Sequence, residues 1–282
     1  MRYAWTAGVL LFMAMAAAAP ANLSITELTL RHSEDGQPVP VPVFAAGRTV
    51  YMSFRVAGFS ARGEDREVEL TWTIDALDPA KRPIAETVRG NLKVELAPED
   101  KDWMPKVRYN VQVPPVPEPG MYTIVIALED KVSGKTVRGE QQFRVEGAAV
   151  PRAEALGIAN FGFLRSENDR AALPEPATYR PGDVVWARFD VTGYKFGERN
   201  RYDVRYGLAL QDPAGKKVFS QPQAAADSDE GFYPKRFVTA TFSITLDKKV
   251  APGEYTLVVT LTDTVGKQTA ESARTFRVEP EK

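Results

Sequence analysis

The chain lacks cysteine altogether and has a single histidine, His32, among its 282 residues. Without cysteine it forms no disulfide, and a zinc site built from Cys and His ligands is excluded. A nucleophile activated by histidine could be built only on His32, near the end of the first predicted strand and beside Ser33. We interpret His32 as a solvent-facing loop residue, so the sequence offers no catalytic residue and predicts a protein that is not an enzyme.

Excess charge of one sign is also missing. The chain has 36 Lys+Arg against 37 Asp+Glu, a formal net charge of −1. So balanced a composition provides no field for holding nucleic acid or an anionic membrane. After residue 21 no apolar run is long enough for a membrane span, which takes about 20 residues. We therefore expect no nucleic-acid partner and no membrane span in the mature protein.

The first 21 residues have the composition of a secretory signal peptide. Arg2 is followed by an apolar stretch, and small residues then permit cleavage after Ala18 or after Ala21. An uncleaved membrane anchor is the alternative, although the apolar stretch is short for a span. The sequence predicts an exported bacterial protein that is periplasmic, displayed on the cell surface or secreted.

One stretch of the chain occurs twice in closely similar form. Residues 119–136 read PGMYTIVIALEDKVSGKT, and residues 252–269 read PGEYTLVVTLTDTVGKQT. Residues 44–59 also align without gaps on residues 179–194. Self-similarity over about 130 residues indicates a repeated domain and not a short solenoid unit. The predicted organisation is a signal peptide at 1–21, a first domain at 22–147, a linker at 148–155 and a second domain at 156–282.

Within each copy the apolar residues alternate with polar ones. Between 67 and 77 one side of the pattern is uniformly apolar, consisting of Val68, Leu70, Trp72, Ile74 and Ala76. Period two with one polar face is typical of an antiparallel sheet packed on one side. The 21 prolines and 20 glycines lie mainly between such runs, and no amphipathic helix follows the signal peptide. The predicted fold class is all-β, with two homologous antiparallel β-sandwich domains in tandem, each of seven or eight strands.

These residues give the unit its resemblance to immunoglobulin-like and fibronectin-type-III-like sandwiches. Tyr122 and Tyr255, in the motif Pro-Gly-x-Tyr, occupy the place of the tyrosine corner of that class. Trp72 stands where the core tryptophan of the third strand is found, with Tyr206 as its counterpart in the second copy. Ile124 and Leu257 replace the later inter-sheet cysteine, which excludes an antibody-type domain. The resemblance implies a fold that hosts many functions.

Several charged motifs are interpreted as turns and loops. SGKT at 133–136 resembles the end of a phosphate-binding loop, but Glu129 stands where the motif needs glycine, so we expect a hairpin turn. The acidic runs at 99–102 and 227–230 are both predicted to lie in loops. Neither has the ligand spacing of a calcium loop, so they are interpreted as solvated loops. No cofactor and no metal are predicted.

The two acidic runs continue in parallel, each with two large apolar residues followed by Pro-Lys. Binding residues are often found on loops of a rigid scaffold, and aromatic residues are frequent anchors. The alternative is that these side chains fold back over an open edge of the sandwich. Tyr51 and Trp186 lie on the polar side of their strands and are expected to be half exposed. The candidate ligand-binding residues are Trp103, Met104, Lys106, Phe232, Tyr233, Lys235, Tyr51 and Trp186.

The sequence thus favours an exported, non-catalytic binding or scaffolding protein of the cell envelope or surface. Its expected partner is another envelope or surface protein, or a glycan. Carbohydrate binding is the leading alternative, and it would be favoured if Trp103 with Tyr51, or Tyr233 with Trp186, formed a flat platform. A periplasmic chaperone would need a basic cleft between the domains. An enzyme would need paired carboxylates converging in a pocket.

Overall fold

The computed structural model describes residues 22–100, 102–147, 150 and 153–280. The predicted signal peptide at 1–21 and half of the predicted linker lie outside the described residues. The first eight strands are β1 (Ser24–Arg31), β2 (Val43–Ala45), β3 (Thr49–Ala57), β4 (Glu67–Leu77), β5 (Val88–Glu95), β6 (Lys106–Gln112), β7 (Gly120–Asp130) and β8 (Thr136–Glu146). The next eight are β9 (Gly157–Leu164), β10 (Thr178–Tyr179), β11 (Val184–Thr192), β12 (Tyr202–Gln211), β13 (Lys217–Asp229), β14 (Phe237–Thr245), β15 (Gly253–Asp263) and β16 (Gln268–Val278). A 3₁₀ turn, Glu198–Asn200, precedes β12.

The strands form two sandwiches with the same strand order. In the first sandwich a three-stranded sheet, β1-β3-β6, packs against a five-stranded sheet, β2-β8-β7-β4-β5. In the second, β9-β11-β14 packs against β10-β16-β15-β12-β13. All pairings are antiparallel except those of the short strands, β2 with β8 and β10 with β16. The all-β sandwich prediction is confirmed, with eight strands in each sandwich. In the described residues no helix is long and apolar enough to cross a bilayer.

Each sandwich has its own core, made by the inward-facing side chains of its two sheets. In β3 the inward positions are Val50, Met52, Phe54 and Val56, and all are almost completely buried. Side chains of this size contribute about 1.5–3 kcal/mol each when fully buried. Burial of this kind stabilises the described chain without disulfides.

Two local features differ from what the sequence predicts. The acidic run at 227–230 is predicted to lie in a loop, but Asp227 and Asp229 end strand β13, where Asp227 pairs with Val204. Because β13 is an edge strand bonded to β12 alone, these carboxylates remain accessible to water without leaving the sheet. Trp72 is half buried instead of central to the core, because its indole lies over Gly90 of the edge strand β5.

The Pro-Gly-x-Tyr motif and the Asp-Pro-Ala turn form one contact in each sandwich. The Tyr122 hydroxyl donates to the carbonyl of Glu118 at 2.9 Å, and the Tyr255 hydroxyl donates to that of Ala251 at 3.0 Å. These bonds have the tyrosine-corner geometry. Gly253 has φ +150°, and a Cβ there would lie 2.5 Å from Cγ of Pro213. The glycine is therefore required by the proline of the neighbouring turn.

A buried carboxylate holds the hairpin that contains SGKT. Asp130 accepts hydrogen bonds from the Ser133 hydroxyl at 2.6 Å, from Ser60 N at 2.8 Å and from Val132 N at 3.0 Å. In the second sandwich Asp263 accepts bonds from Lys195 N and Gly266 N, both at 2.9 Å. SGKT therefore forms the predicted hairpin turn, and the aspartate ties that hairpin to the segment that follows β3.

The same hydrogen bonds set the protonation of Asp130. Burial alone would raise the pKa of its carboxyl group, but the bonds donated by the Ser133 hydroxyl and by the Ser60 and Val132 amides outweigh burial and lower the pKa. A carboxyl group whose pKa is lower in the folded chain adds stability above its unfolded pKa, and that stability is lost as the pH falls through the folded value.

Replacing Gly253 by alanine should destabilise the second sandwich. The substitution places a methyl group against Pro213 at a φ that other residues rarely adopt, so we expect a loss of about 1–3 kcal/mol in the free energy of unfolding. Urea denaturation followed by tryptophan fluorescence would measure it. Gly157→Ala is the control, because its Cβ would meet only the Ala155 carbonyl oxygen, at 3.9 Å. Equal stability of the two variants would contradict this account.

Replacing Asp130 by asparagine should lower the stability of the first sandwich near neutral pH by about 1–3 kcal/mol, because one charged acceptor of several hydrogen bonds is lost. The difference from wild type should shrink as the pH falls below the usual carboxyl value of 3.8. Urea denaturation at a series of pH values would test both points. Glu64→Gln, in an exposed turn, serves as the control. A difference between wild type and Asp130→Asn that stays constant with pH would show that the carboxylate charge is not responsible.

Candidate functional site

Tyr233 joins the two sandwiches. It lies between β13 and β14 of the second sandwich, and its hydroxyl donates to Oδ2 of Asp78 in the first at 3.0 Å. Its ring packs against the core of the first sandwich, with the guanidinium carbon of Arg82 5.7 Å from the ring centroid. The predicted binding residue is therefore half buried and in use as a contact within the chain.

Tyr233 enters a charged pocket, which we name the Asp78 socket and define as Asp78, Arg82, Glu118 and Tyr122. The Asp78 side chain is 0% exposed, and its carboxylate accepts bonds from Arg82 N at 2.9 Å and Arg82 Nε at 2.8 Å. Glu118 Oε2 lies 3.0 Å from Arg82 Nη2 and 2.9 Å from Nη1 of Arg236, which belongs to the second sandwich. Every charge in the socket is thus compensated, as burial requires.

The socket keeps the Tyr233 hydroxyl protonated. Burial raises the pKa of Tyr233, and the negative charge of Asp78 raises it further. Together these effects outweigh the neighbouring Tyr122 hydroxyl and the positive charge of Arg82, both of which lower the pKa. A protonated hydroxyl is the form that can donate to the carboxylate, so the contact persists over the whole neutral range.

Phe232, the residue before Tyr233, is exposed to solvent and is not buried against the first sandwich. Phe232 is 50% exposed. The Asn200 side-chain amide donates to the carbonyl of Phe232 at 2.7 Å and to that of Gly231 at 3.1 Å. Asn200 and its neighbour Arg199 both have left-handed backbones, with φ of 53° and 52°. Consecutive non-glycine residues in that region are strained, and the Asn200 hydrogen bonds hold the backbone of residues 230–236, which we name the display loop.

The display loop forms one wall of a groove between the sandwiches. The first sandwich contributes residues 84–86 and 112–116, and the second contributes Asp229, residues 231–233 and Lys235. We name this surface the inter-sandwich groove. Its volume of about 600 Å³ is within the range of known ligand pockets, roughly 300–1,000 Å³. Phe232 is the large exposed ring in it.

Lys235 lines the groove, but its ammonium group is already engaged. Its Nζ donates to the Tyr202 hydroxyl at 3.0 Å, lies 5.6 Å from the centroid of that ring and is 3.8 Å from Oδ1 of Asp227. The Tyr202 hydroxyl in turn donates to Asp227 at 2.5 Å. Lys235 therefore stabilises the base of the display loop.

The corresponding loop of the first sandwich folds back over its own edge. The Trp103 ring packs edge-to-face on Phe59 at 5.9 Å and is half buried against the core. The Met104 carbonyl accepts a bond from Arg55 Nη1 at 2.9 Å, and Lys106 is the exposed first residue of β6. These side chains cover the edge of their own sandwich, and the structure does not bring them to the inter-sandwich groove.

Tyr51 and Trp186 lie half buried on the three-stranded sheets. Tyr51 is opposite Asn110, far along β3 from the end where Trp103 packs on Phe59. Trp186 is opposite Ser243, whereas Tyr233 precedes β14 by four residues and is held at Asp78. Neither pair forms the flat platform that would favour carbohydrate binding.

The charges of the groove fit neither a chaperone cleft nor a catalytic pair of carboxylates. The charged lining residues are Glu86, Asp229 and the engaged Lys235, so the groove is not the basic cleft that a chaperone would need. Glu86 and Asp229 are carboxylates in one groove, but both are exposed, and neither is desolvated as a catalytic acid requires. In the part of the chain that the structure describes, no three His, Cys, Asp or Glu residues cluster as a metal site would.

The wall formed by residues 112–116 was missed in the sequence. The signal was present, however, as a difference between the copies. The first copy reads VPPVPEPG before its tyrosine corner, and the second reads LDKKVAPG. Prolines and valines that are absent from the second copy are not needed by the shared frame. The Asp78 socket could not have been found in this way, because Asp78 has a counterpart in Asp212.

Comparisons with known proteins assign no family. No protein-family model matches the chain, and no curated protein matches it. Among solved structures, the C-terminal domain of the AgI/II polypeptide BspA from Streptococcus agalactiae is 9% identical with a TM-score of 0.31, covering 91% of this chain and 100% of that one. The C-terminal domain of the Streptococcus pyogenes antigen I/II-family protein AspA is 11% identical with a TM-score of 0.32, covering 91% and 99%.

A third solved structure belongs to a different class. The alkylpurine DNA glycosylase AlkC of Pseudomonas fluorescens is 14% identical with a TM-score of 0.30, and the match covers 45% of this chain. This chain spans 31% of the glycosylase's length. Similarities as low as these assign neither a family nor a function.

Removing the Tyr233 side chain should uncouple the two sandwiches. Tyr233→Ala leaves the Asp78 socket without its aromatic contact, so we expect two separated unfolding transitions in calorimetry where the wild type shows greater overlap. Tyr233→Phe, which loses only the hydrogen bond, should cost about 1 kcal/mol. Tyr51→Ala is the control for loss of a half-buried tyrosine elsewhere. Identical coupling in wild type and Tyr233→Ala would contradict the joining role of Tyr233.

The same contact should weaken in alkali. A tyrosine whose pKa is raised by folding contributes stability below the usual value of 10.0, and this contribution is lost as the pH rises through the folded pKa. We expect the unfolding transitions of wild type to separate above about pH 10. The transitions of Tyr233→Phe should show a smaller pH dependence over that range. An equal alkaline response in both proteins would assign the effect to other tyrosines.

Proposed function

We propose that the chain is an exported, non-catalytic binding protein of the cell envelope or surface, acting through the inter-sandwich groove. The supporting observation is Phe232, which stays half exposed in a loop whose backbone is fixed on both sides. The protein is periplasmic, surface-displayed or secreted, and its partner is another envelope or surface macromolecule.

The two sandwiches are, in this proposal, two immunoglobulin-like domains with boundaries at 22–147 and 156–282. The strand order supports the assignment, because β1, β3 and β6 share one sheet while β4, β7 and β8 share the other. Strands A, B and E of immunoglobulin-like domains are separated from strands C, F and G in the same way. The tyrosine corners at Tyr122 and Tyr255 support it further. The fold supplies a rigid frame, and the specific contacts come from the loops.

The rigidity of the display loop favours binding over simple edge protection. A large apolar side chain on the surface is unfavourable unless something covers it, and a pre-organised aromatic ring loses little entropy when it is covered. Asn200 and Tyr233 hold the backbone on either side of Phe232. An exposed ring held in this way is what a binding anchor requires.

The test is a pull-down from the envelope fraction of the source organism with the mature chain as bait. Wild type is compared with Phe232→Ala, and with Phe219→Ala as the matched control, because Phe219 is a 37% exposed ring on β13 that does not line the groove. Retained proteins and glycans are identified together. We expect a partner that wild type and Phe219→Ala retain and Phe232→Ala loses.

The control for folding is the urea midpoint of each variant, which should match wild type because both side chains are exposed. Retention of the same partners by Phe232→Ala, or retention of no partner by wild type, would contradict the proposed function.

A further inference from the structure

The charge that the inter-sandwich groove has available is negative. Glu86 and Asp229 line it, both are exposed, and neither forms an ion pair with a residue that the structure describes. One oxygen of Asp229 accepts a bond from the Glu230 amide at 2.8 Å, which leaves the second oxygen available to other donors. Glu230 itself is paired with Arg199 at 2.8 Å. The groove can therefore attract a cation without first breaking an existing ion pair.

The positive charge in the groove is already neutralised. Lys235 lies over the Tyr202 ring and donates to its hydroxyl, with Asp227 at 3.8 Å. An acidic ligand would have to displace these contacts and would also meet the two carboxylates of the groove. A positively charged ligand would neither displace the Lys235 contacts nor be repelled by the two carboxylates.

Most of the remaining accessible lining is apolar, and it consists of Ala85, Pro115, Val116 and the exposed ring of Phe232. The polar exception is Gln112, whose side-chain amide donates to the carbonyl of Gly47 at 3.2 Å. Aliphatic and prolyl surfaces of this kind pack well against aliphatic side chains. Sugars are usually held by stacked rings combined with many hydrogen-bonding side chains, and here one exposed ring stands beside a floor with few polar groups.

We propose that the inter-sandwich groove binds an extended polypeptide segment in which an aliphatic side chain stands next to a lysine or arginine. This inference rests on the proposed function and names the partner of the same surface. The aliphatic side chain packs on Phe232 and the proline-rich wall. The neighbouring cation pairs with Glu86 or Asp229, which gives the site its preference for basic over acidic segments.

The experiment is selection of a phage-displayed library of random dodecapeptides on the immobilised mature chain, with depletion on Phe232→Ala to remove peptides that bind elsewhere. We expect the enriched peptides to combine Leu, Ile, Val or Pro with Lys or Arg. Enrichment of acidic or uncharged peptides, or no enrichment that depends on Phe232, would overturn the proposal.

The charge requirement is tested with one selected peptide in a fluorescence anisotropy titration. The double variant Glu86→Gln, Asp229→Asn should bind it roughly three- to tenfold more weakly and with a smaller dependence on salt. Glu64→Gln, Asp65→Asn removes two exposed carboxylates from the turn before β4 and is the matched control, which should bind as wild type does. If both double variants bound the peptide equally weakly, the loss of affinity would be due to net charge alone, and the proposed pairing with Glu86 and Asp229 would be wrong.

The outcome separates this proposal from the broader one. If the envelope pull-down yields a glycan whose retention depends on Phe232, the groove is a binding site but the polypeptide inference is wrong. If wild type retains no envelope component and the library yields no groove-dependent peptide, both proposals fail. A protein partner lost by Phe232→Ala and also by Glu86→Gln, Asp229→Asn would support both.

Discussion

The buried carboxylate of Asp78 accepts the hydrogen bonds on which two parts of this structure depend: a turn of the first sandwich and the contact between the two sandwiches. Within the first sandwich it accepts the Arg82 amide and guanidinium and so closes the turn after β4. Between the sandwiches it accepts the hydroxyl of Tyr233. A carboxylate with no contact with water must have such partners, because an uncompensated buried charge is strongly unfavourable. The contact with Tyr233 holds one side of the display loop against the first sandwich, while Asn200 holds the backbone on the other side of Phe232.

The second sandwich contains the corresponding turn, at Asp212, whose aspartate closes the turn. Asp212 accepts bonds from the Ala214 and Lys216 amides at 2.9 Å, so its turn is closed as in the first copy. It remains partly exposed, and Lys216 stands where the first copy has Arg82. A guanidinium can contact two carboxylates in fixed directions, which an ammonium cannot. Arg82 thus links Asp78 to Glu118 within the first sandwich. These two carboxylates in turn contact Tyr233 and Arg236 of the second sandwich.

The frame could be predicted from the sequence because its signals are local. Alternation along β3 and β4 predicted which side chains face the core, and the Pro-Gly-x-Tyr motif predicted the tyrosine corner. The candidate site was predicted only in part. Phe232 is exposed and Lys235 lines the groove, as a binding role requires. Tyr233, however, is bonded to Asp78 of the first sandwich, and Trp103 packs on the edge of its own sandwich. The two loops look alike in sequence, and their surroundings decide between these roles.

The sequence by itself determined the all-β class, units of seven or eight strands and most of the turns, since each follows from the spacing of apolar residues, glycine and proline over a few positions. Only the tertiary structure decided that Asp78 receives Tyr233, 155 residues away along the chain, and that residues 112–116 face the display loop. Those contacts depend on how two separately packed cores lie against each other. No short pattern encodes that arrangement, because the side chains that create it come from distant segments, and each of them also fits a surface position.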